Sequence, residues 1–336
     1  MDLDDPDLER TEAGAEAAPP PAPTLLYRDA TRSVLVSNDS PDVPFRWSVN
    51  PYRGCEHGCV YCYARPSHER LGWSAGLDFE RRILVKEDAP EILARELAHP
   101  RWRPEVVAFS GSTDCYQPVE RRLGITRRCL EVMADFRNPV AIVTKSALVV
   151  RDVDVLAPLA EIGAVSVGIS LTTLDAALAR RLEPRASAPD RRLDAIARLT
   201  AAGIPVHAMI SPVVPGLNDE EIPRLLAAAA AAGASAASWL LVRLAAPLDA
   251  LFDDWLARHA PEKRARVLAR IRSTRAGRMN DTAFGRRMRG QGEYAGQIAA
   301  LFEASARRHG LDRKRPGLET KWFRRPPRPG DQLGLF

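Results

Sequence analysis

Residues 53–63 read Arg53-Gly54-Cys55-Glu56-His57-Gly58-Cys59-Val60-Tyr61-Cys62-Tyr63. Three of the chain's five cysteines fall within eight residues here, spaced Cys-x3-Cys-x2-Cys. Three thiolates this close along one backbone can hold an iron–sulfur cubane by three of its four irons, and the fourth iron is left open for chemistry. Gly54 and Gly58 allow tight bends between the ligands. Tyr61 and Tyr63 flank the last cysteine with flat surfaces.

A structural zinc is the competing use of such cysteines. Zinc wants four ligands, usually as two paired knuckles. His57 or Cys115 could complete a set, but no second Cys-x2-Cys occurs. Clustered cysteines in a reducing compartment bind metal more often than they lie buried without one.

The Cys-x3-Cys-x2-Cys loop, with Tyr61 just before the last cysteine, resembles the signature of the radical S-adenosylmethionine (radical SAM) superfamily. The resemblance implies a [4Fe–4S] cluster on Cys55, Cys59 and Cys62, with S-adenosylmethionine at the open iron. It also implies a partial (β/α)6 barrel whose cluster loop follows the first strand.

The chain has 336 residues, with 46% hydrophobic and 27% charged. That is enough for one large domain, or for one domain with an extension. No segment has the length and apolarity of a membrane span. The acidic start Met1-Asp2-Leu3-Asp4-Asp5 does not read as a signal peptide. An odd number of cysteines, three of them clustered, is not a disulfide framework. The expected compartment is reducing, and so cytoplasmic. Net charge is +5, but the stretch from Lys263 to Arg328 is strongly basic. A one-sided basic surface suggests a polyanionic partner, set against a solvated arginine-rich helix surface.

Residues 1–40 are expected to be a disordered acidic and proline-rich tail. Pro44 to Tyr52 reads as an extended lead-in to the cysteines, Ala64 to Leu71 as a short helix, and Ala89 to Ala98 as an amphipathic helix. An alternation follows. Strands are predicted over 105–110, 140–144, 164–171, 204–210 and 236–244. Helices are predicted over 119–136, 153–162, 175–182, 191–202 and 218–232. Continuous apolar strands between helices mean a parallel sheet. A doubly wound sheet would give the same pattern, and the superfamily resemblance favours the barrel. The fold class is therefore α/β, a partial (β/α)6 barrel of the TIM type with a basic helical C-terminal extension. The core is expected over 41–280, with its strands ending near 245. Helices over 251–272 and 294–309 lead into a basic tail, so that 281–336 forms the extension.

Sites in parallel α/β folds lie at the C-terminal ends of the strands. After the second strand comes Ser110-Gly111-Ser112-Thr113-Asp114-Cys115-Tyr116-Gln117-Pro118. Ser112 and Thr113 let backbone approach a ligand, and Asp114 is suited to an ammonium group. In the superfamily this place resembles the segment that holds the amino group of S-adenosylmethionine. The competing role for Asp114 is a helix cap. Lys145, after the third strand, suits a carboxylate or ribose oxygen, and Ser170 ends the fourth. Arg185, in Leu182-Glu183-Pro184-Arg185, suits the methionine carboxylate, or else an ion pair with Glu183. Val213 and Val214, after the fifth strand, suit adenine. His207 reads as a core histidine.

Ser-x-Thr-Asp-x-Tyr-Gln-Pro, Thr-Lys-Ser, Leu-Glu-Pro-Arg and Pro-x-x-Pro-Gly-x-Asn together resemble the branch of spore photoproduct lyase and its "DNA repair photolyase"-like relatives, over roughly Asn50 to Leu244. That lyase carries a hydrogen-donating cysteine just before the cofactor segment. Here Ser110-Gly111 stands in that place. Cys115 is then either a displaced hydrogen donor or a buried thiol. The resemblance implies one-electron cleavage of S-adenosylmethionine to a 5′-deoxyadenosyl radical. The electron would come from an external flavodoxin- or ferredoxin-type reductant.

Gln332-Leu333-Gly334-Leu335-Phe336 resembles the pentapeptide by which bacterial DNA-processing proteins dock on the replication sliding clamp. In this reading docking runs through Gln332, Leu333, Leu335 and Phe336, with Leu335 and Phe336 filling an apolar groove and Gln332 hydrogen-bonding at its rim. With the basic stretch it favours DNA as substrate. Two readings compete with this one: a radical SAM enzyme for RNA, protein or a small molecule, and a zinc-stabilised nucleic-acid-binding module without turnover.

Overall fold

A computed structural model describes residues 23–313 and 317–327. Its strands are β1 (Leu25–Arg28), β2 (Val36–Ser37), β3 (Trp47–Val49), β4 (Tyr52–Arg53), β5 (Arg82–Val85), β6 (Val107–Phe109), β7 (Val140–Thr144), β8 (Val165–Ser170), β9 (Val206–Val213) and β10 (Ala236–Leu241). The main sheet has the order β10-β9-β8-β7-β6-β3-β2. Neighbours from β3 to β10 are parallel, and β2 is antiparallel at the edge. Spatial order follows chain order through the six parallel strands, which is the expected (β/α)6 arrangement. Parallel neighbours require crossovers. Helices Ala89–Ala98, Ile125–Asp135, Val153–Glu161, Pro189–Ala201 and Ile222–Ala231 supply them.

The local reasons are those of periodicity. β7 is buried at Val140, Ile142 and Thr144 and half-buried between them, because alternate strand residues face opposite ways. Helix Ile125–Asp135 buries Ile125, Cys129, Leu130 and Met133 along one stripe. Val140, Ile142 and these helix residues belong to one continuous apolar core.

The sheet does not close on itself. β10 and β2 are its two ends. An open strand edge invites pairing, and the C-terminal segment covers the edge of β10. The Ala237 N–H donates to the Leu311 carbonyl at 2.8 Å, and the Leu241 N–H to the Met288 carbonyl at 3.0 Å. Helix Glu293–Arg308 packs on Ile222–Ala231 and places Ile298 and Phe302 in the main core.

Several expectations need correction. The disordered tail was expected to reach residue 40. Instead β1 pairs in parallel with β5, and β4 joins β5 antiparallel to complete a small second sheet; β2 pairs with β3. The helix over 119–136 is two helices, Glu120–Leu123 and Ile125–Asp135. They part at Gly124, which takes φ +62°, a conformation that favours glycine. The helix over 251–272 is also two, Leu248–His259 and Pro261–Ser273. Ala260 stands before Pro261 and is kept out of helical geometry (φ −153°). Gln332, Leu333, Leu335 and Phe336 lie outside the described residues. Among the described residues no helix is long and apolar enough to cross a membrane.

Candidate active site

The cysteine loop leaves the C-terminal end of β3 and is held from four sides. The Cys55 N–H donates to the Phe79 carbonyl at 2.9 Å. Gly54 has φ +86°, and a Cβ there would lie 2.9 Å from that same carbonyl oxygen. Gln117 is wholly buried. Its Nε2 donates to the Gly54 carbonyl at 3.1 Å, and its Oε1 accepts the Glu56 N–H at 2.8 Å. Arg65 donates to the carbonyls of Cys59 and Gly58, both at 2.8 Å. Arg185 donates to the Glu56 carbonyl and pairs with Glu80 at 3.1 Å, while its own N–H reaches the His57 carbonyl at 3.2 Å.

Cys55 and Cys59 are buried and Cys62 is half-buried. Burial first, with nearby negative charge adding for Cys55 and Cys59, pushes all three thiols above the ordinary range. They are therefore neutral without a cation and become thiolates when one binds. Among the described residues no three or more His, Cys, Asp or Glu side chains are placed to hold a single ion. His57 faces Asp114 at 3.4 Å, and Cys115 lies in the apolar core. Neither supplies the fourth ligand that zinc needs. Three soft thiolates in one tight loop fit a cubane, whose irons take one protein ligand each.

The segment after β6 packs against this loop. Ser110 takes φ +75°, and its Oγ accepts the Cys115 N–H at 2.9 Å. Asn50 accepts the N–H groups of Ser112 and Thr113 at 2.8 and 3.3 Å, and the Thr113 hydroxyl donates to the Tyr52 carbonyl at 2.8 Å. Ser112 is exposed. Asp114 accepts from the Thr144 hydroxyl (2.7 Å), the Lys145 N–H (2.8 Å) and the Tyr116 N–H (2.9 Å), besides facing His57. Burial works to raise its pKa, but His57 and these donors leave it below the ordinary value. Its oxygens tie β6, β7 and the cysteine loop together. Cys115 is 0% exposed, and burial pushes its thiol well up.

At the ends of β7 to β9, Glu183 is the centre of a buried polar group. It accepts from the hydroxyls of Tyr61 and Thr172 and pairs with Arg192 and Lys145. Burial alone would raise its pKa, but Arg192 and then Lys145 hold it down at about 2. The Lys145 ammonium also reaches the Ser211 carbonyl at 3.2 Å and stands 5.8 Å from the Tyr61 ring centre. Arg185 therefore does not pair with Glu183, as one reading expected. Its partner is Glu80, because Arg192 already occupies Glu183. Ser170 is buried, and its carbonyl accepts from Arg192 at 3.1 Å. Val213 ends β9 inside the main core, whereas Val214 packs in the apolar cluster of Cys59 and Tyr61. Asn218 fixes that turn, accepting the Val214 N–H and donating to the Thr172 carbonyl, both at 2.7 Å. His207 is buried within β9, and its ring occupies the space that a side chain at Gly168 would need.

Tyr61, Lys145, Thr172, Glu183, Val214 and the cysteine loop thus meet at one end of the sheet. Sequence reasoning gave no role to Gln117 or Arg192, and offered Glu183 only as a surface partner of Arg185. Gln117 and Glu183 stood in quoted motifs. Arg192 sits in an ordinary-looking amphipathic helix, and nothing local marks it.

The model of the radical SAM superfamily matches residues 49–229, more than half of the chain. This chain belongs to the radical SAM superfamily. The superfamily uses a [4Fe–4S] cluster and S-adenosylmethionine. An uncharacterised protein of Mycobacterium tuberculosis is 40% identical over 222 residues, covering 66% of this chain and 65% of that one. The chain thus spans just under two thirds of that relative. An uncharacterised protein of Methanocaldococcus jannaschii is 31% identical over 176 residues, 52% of this chain and 63% of that one. Among solved structures, spore photoproduct lyase complexed with dinucleoside spore photoproduct has a TM-score of 0.61 at 16% identity, covering 84% of this chain and 79% of that one. That likeness is one of fold. This radical SAM chain shares its α/β architecture and keeps helices at the C-terminus.

Proposed function

We propose that this radical SAM enzyme acts on DNA, in lesion repair or base modification. Charge at the C-terminal end carries the reading. Between Lys263 and Arg289 there are ten Lys or Arg and one acid, Asp281. Helix Pro261–Ser273 within this stretch docks at the end of β9, where Arg266 donates to the Gly216 carbonyl at 3.2 Å. The basic stretch therefore borders the same end of the sheet as the cysteine loop. Phosphate backbones seek such surfaces. The fold neighbour complexed with a dinucleoside photoproduct supports the same substrate class.

Cys55, Cys59 and Cys62 would hold the cluster. With S-adenosylmethionine bound and one electron from an external carrier of flavodoxin or ferredoxin type, that site would supply reductive cleavage of S-adenosylmethionine to methionine and a 5′-deoxyadenosyl radical. The chain's own residues do the rest. Gln117, Arg65 and Arg185 hold the loop rigid. Lys145, held by Glu183 beside Tyr61, offers an ammonium to a carboxylate or ribose oxygen. Ser112 offers an exposed hydroxyl, and Val214 with Tyr61 an apolar wall for adenine. Asp114 positions the cysteine loop, and Arg185 clamps it. A base would have to leave the stack to reach this end of the barrel.

The test is anaerobic reconstitution with iron and sulfide, then reduction with S-adenosylmethionine. Iron content and 5′-deoxyadenosine are followed with and without ultraviolet-irradiated DNA. About four irons per chain and 5′-deoxyadenosine that rises with DNA and vanishes in C59A are expected. Stimulation by RNA or protein instead of DNA would move the substrate class. One zinc and no 5′-deoxyadenosine would remove the enzyme.

A further inference from the structure

The open side of the sheet is bridged by side chains. Arg243 stands two residues beyond β10, the last parallel strand, and lays its guanidinium over the Tyr63 ring at 5.6 Å from the centre. Tyr63 follows the last cysteine of the loop that leaves β3, the first parallel strand. Its hydroxyl donates to the Gly111 carbonyl beyond β6 at 2.7 Å. Arg287 and Asp42 make a second bridge between the two ends of the sheet. Tyr61 is buried against Glu183, whereas Tyr63 is 53% exposed. Arg243 therefore borders the solvent-facing side of the cysteine loop, where a long substrate would enter.

Among the described residues Arg243 has no carboxylate partner. Its Nε is buried and bonded to nothing. Its Nη1 reaches only the Met288 sulfur, at 4.0 Å, and a thioether is a weak acceptor. Asp42 acts on Arg243 from a distance, but its oxygens are taken by Arg287 and by the Gly285 N–H at 2.7 Å. A half-buried guanidinium that has lost water without gaining an acceptor is costly to keep. Burial, and then Arg287, both work against its charge. Five N–H donors in a planar fork match a tetrahedral anion. Stacking on Tyr63 fixes the plane of that fork.

We propose that Arg243, held on Tyr63, binds one phosphodiester of the substrate strand and so sets which nucleotide reaches the site. This rests on the nucleic-acid reading above. A phosphate meeting Arg243 would supply the missing acceptors and balance the charge that Asp42, bound to Arg287, leaves uncompensated.

The experiment uses the full chain, reconstituted and loaded with S-adenosylmethionine. Binding of a fluorescent single-stranded DNA oligonucleotide is followed by anisotropy. Neutral methylphosphonate linkages are scanned along the strand one at a time. Wild-type protein should show one linkage whose neutralisation weakens binding about tenfold to a hundredfold. R243Q should lose a similar factor and reduce the salt slope by about 0.7, the share of one single-strand phosphate. In R243Q that linkage should no longer matter. R243K should fall between the two, because a point charge cannot replace the fork. If R243Q binds like wild type, or still loses affinity when that one linkage is neutralised, the phosphate contact is wrong. Should R243Q fail to fold, the wild-type scan and R243K decide the matter. If wild-type protein binds no oligonucleotide at all, the nucleic-acid reading falls first and this proposal with it.

Discussion

Arg192 and Glu183 form an ion pair inside the protein, with side chains 3% and 0% exposed. The pair joins helix Pro189–Ala201 to the C-terminal end of helix Ala176–Leu182, beside Tyr61 of the cysteine loop. Removing one partner of such a pair strands the other charge. R192M should cost about 3–5 kcal/mol, seen as a lower thermal midpoint. The pH dependence follows from the depressed pKa of Glu183, about 2 against an ordinary 4.5. Its stabilisation is present above pH 4.5 and is lost as pH falls toward 2. In R192M the folded-state pKa rises toward 4.5 or past it, so this loss of stability between pH 4.5 and 2 should shrink. Identical acid profiles for the two proteins would contradict this.

Gln117 touches the cysteine loop with both ends of its amide. Q117L keeps the bulk and removes both hydrogen bonds, leaving the buried Gly54 carbonyl and Glu56 N–H without these partners. A cost of about 1–3 kcal/mol per stranded group is expected. The reconstituted variant should lose iron to a chelator faster than wild type.

Gly58 and Gly72 have similar backbone angles, φ +68° and +73°, but different surroundings. A Cβ at Gly58 would lie 2.2 Å from Glu80 Oε2, whereas none of the neighbours considered comes within 4 Å at Gly72. G72A should cost about 1–2 kcal/mol of backbone strain. G58A should cost more, because Glu80 must leave Arg185 and Arg65, and it should also lower bound iron. Equal effects on iron would show that the clamp is not needed.

Cys115 sits in the core with the Thr126 hydroxyl on its carbonyl at 2.6 Å. C115A should lower stability by about 1–2 kcal/mol and leave turnover intact. A hydrogen donor would behave differently, with product lost or rerouted while S-adenosylmethionine is still cleaved.

If the last five residues dock on a sliding clamp, deleting Gln332 to Phe336 should abolish co-elution with it. Tethering raises local concentration on DNA, so the loss should also show as weaker clamp-dependent binding. A truncated chain that still binds the clamp would remove this reading.

The cluster of three cysteines was legible because they share one loop, where spacing alone limits the geometry. The strands and helices were legible because burial on a sheet or helix face leaves a period of 2 or 3.6 in the sequence. Gly124 and Pro261, each able to break a helix, were visible letters, but a long apolar stripe outweighed them. β1 was missed because four residues carry little pattern, and its partner β5 is far along the chain.

Sequence by itself determined the superfamily, the grouping of the three cysteines and the order of the barrel strands and crossover helices, since each rests on neighbours along the chain. Tertiary structure alone decided which charges meet. Arg185 went to Glu80, 105 residues away, and Gln117 to Gly54, 63 residues away. Arg243 was left stacked on Tyr63, with no acid of its own among the described residues. An arginine's partner is chosen by what packing brings within reach and by which groups burial has stripped of water. Neither quantity exists until the chain is folded.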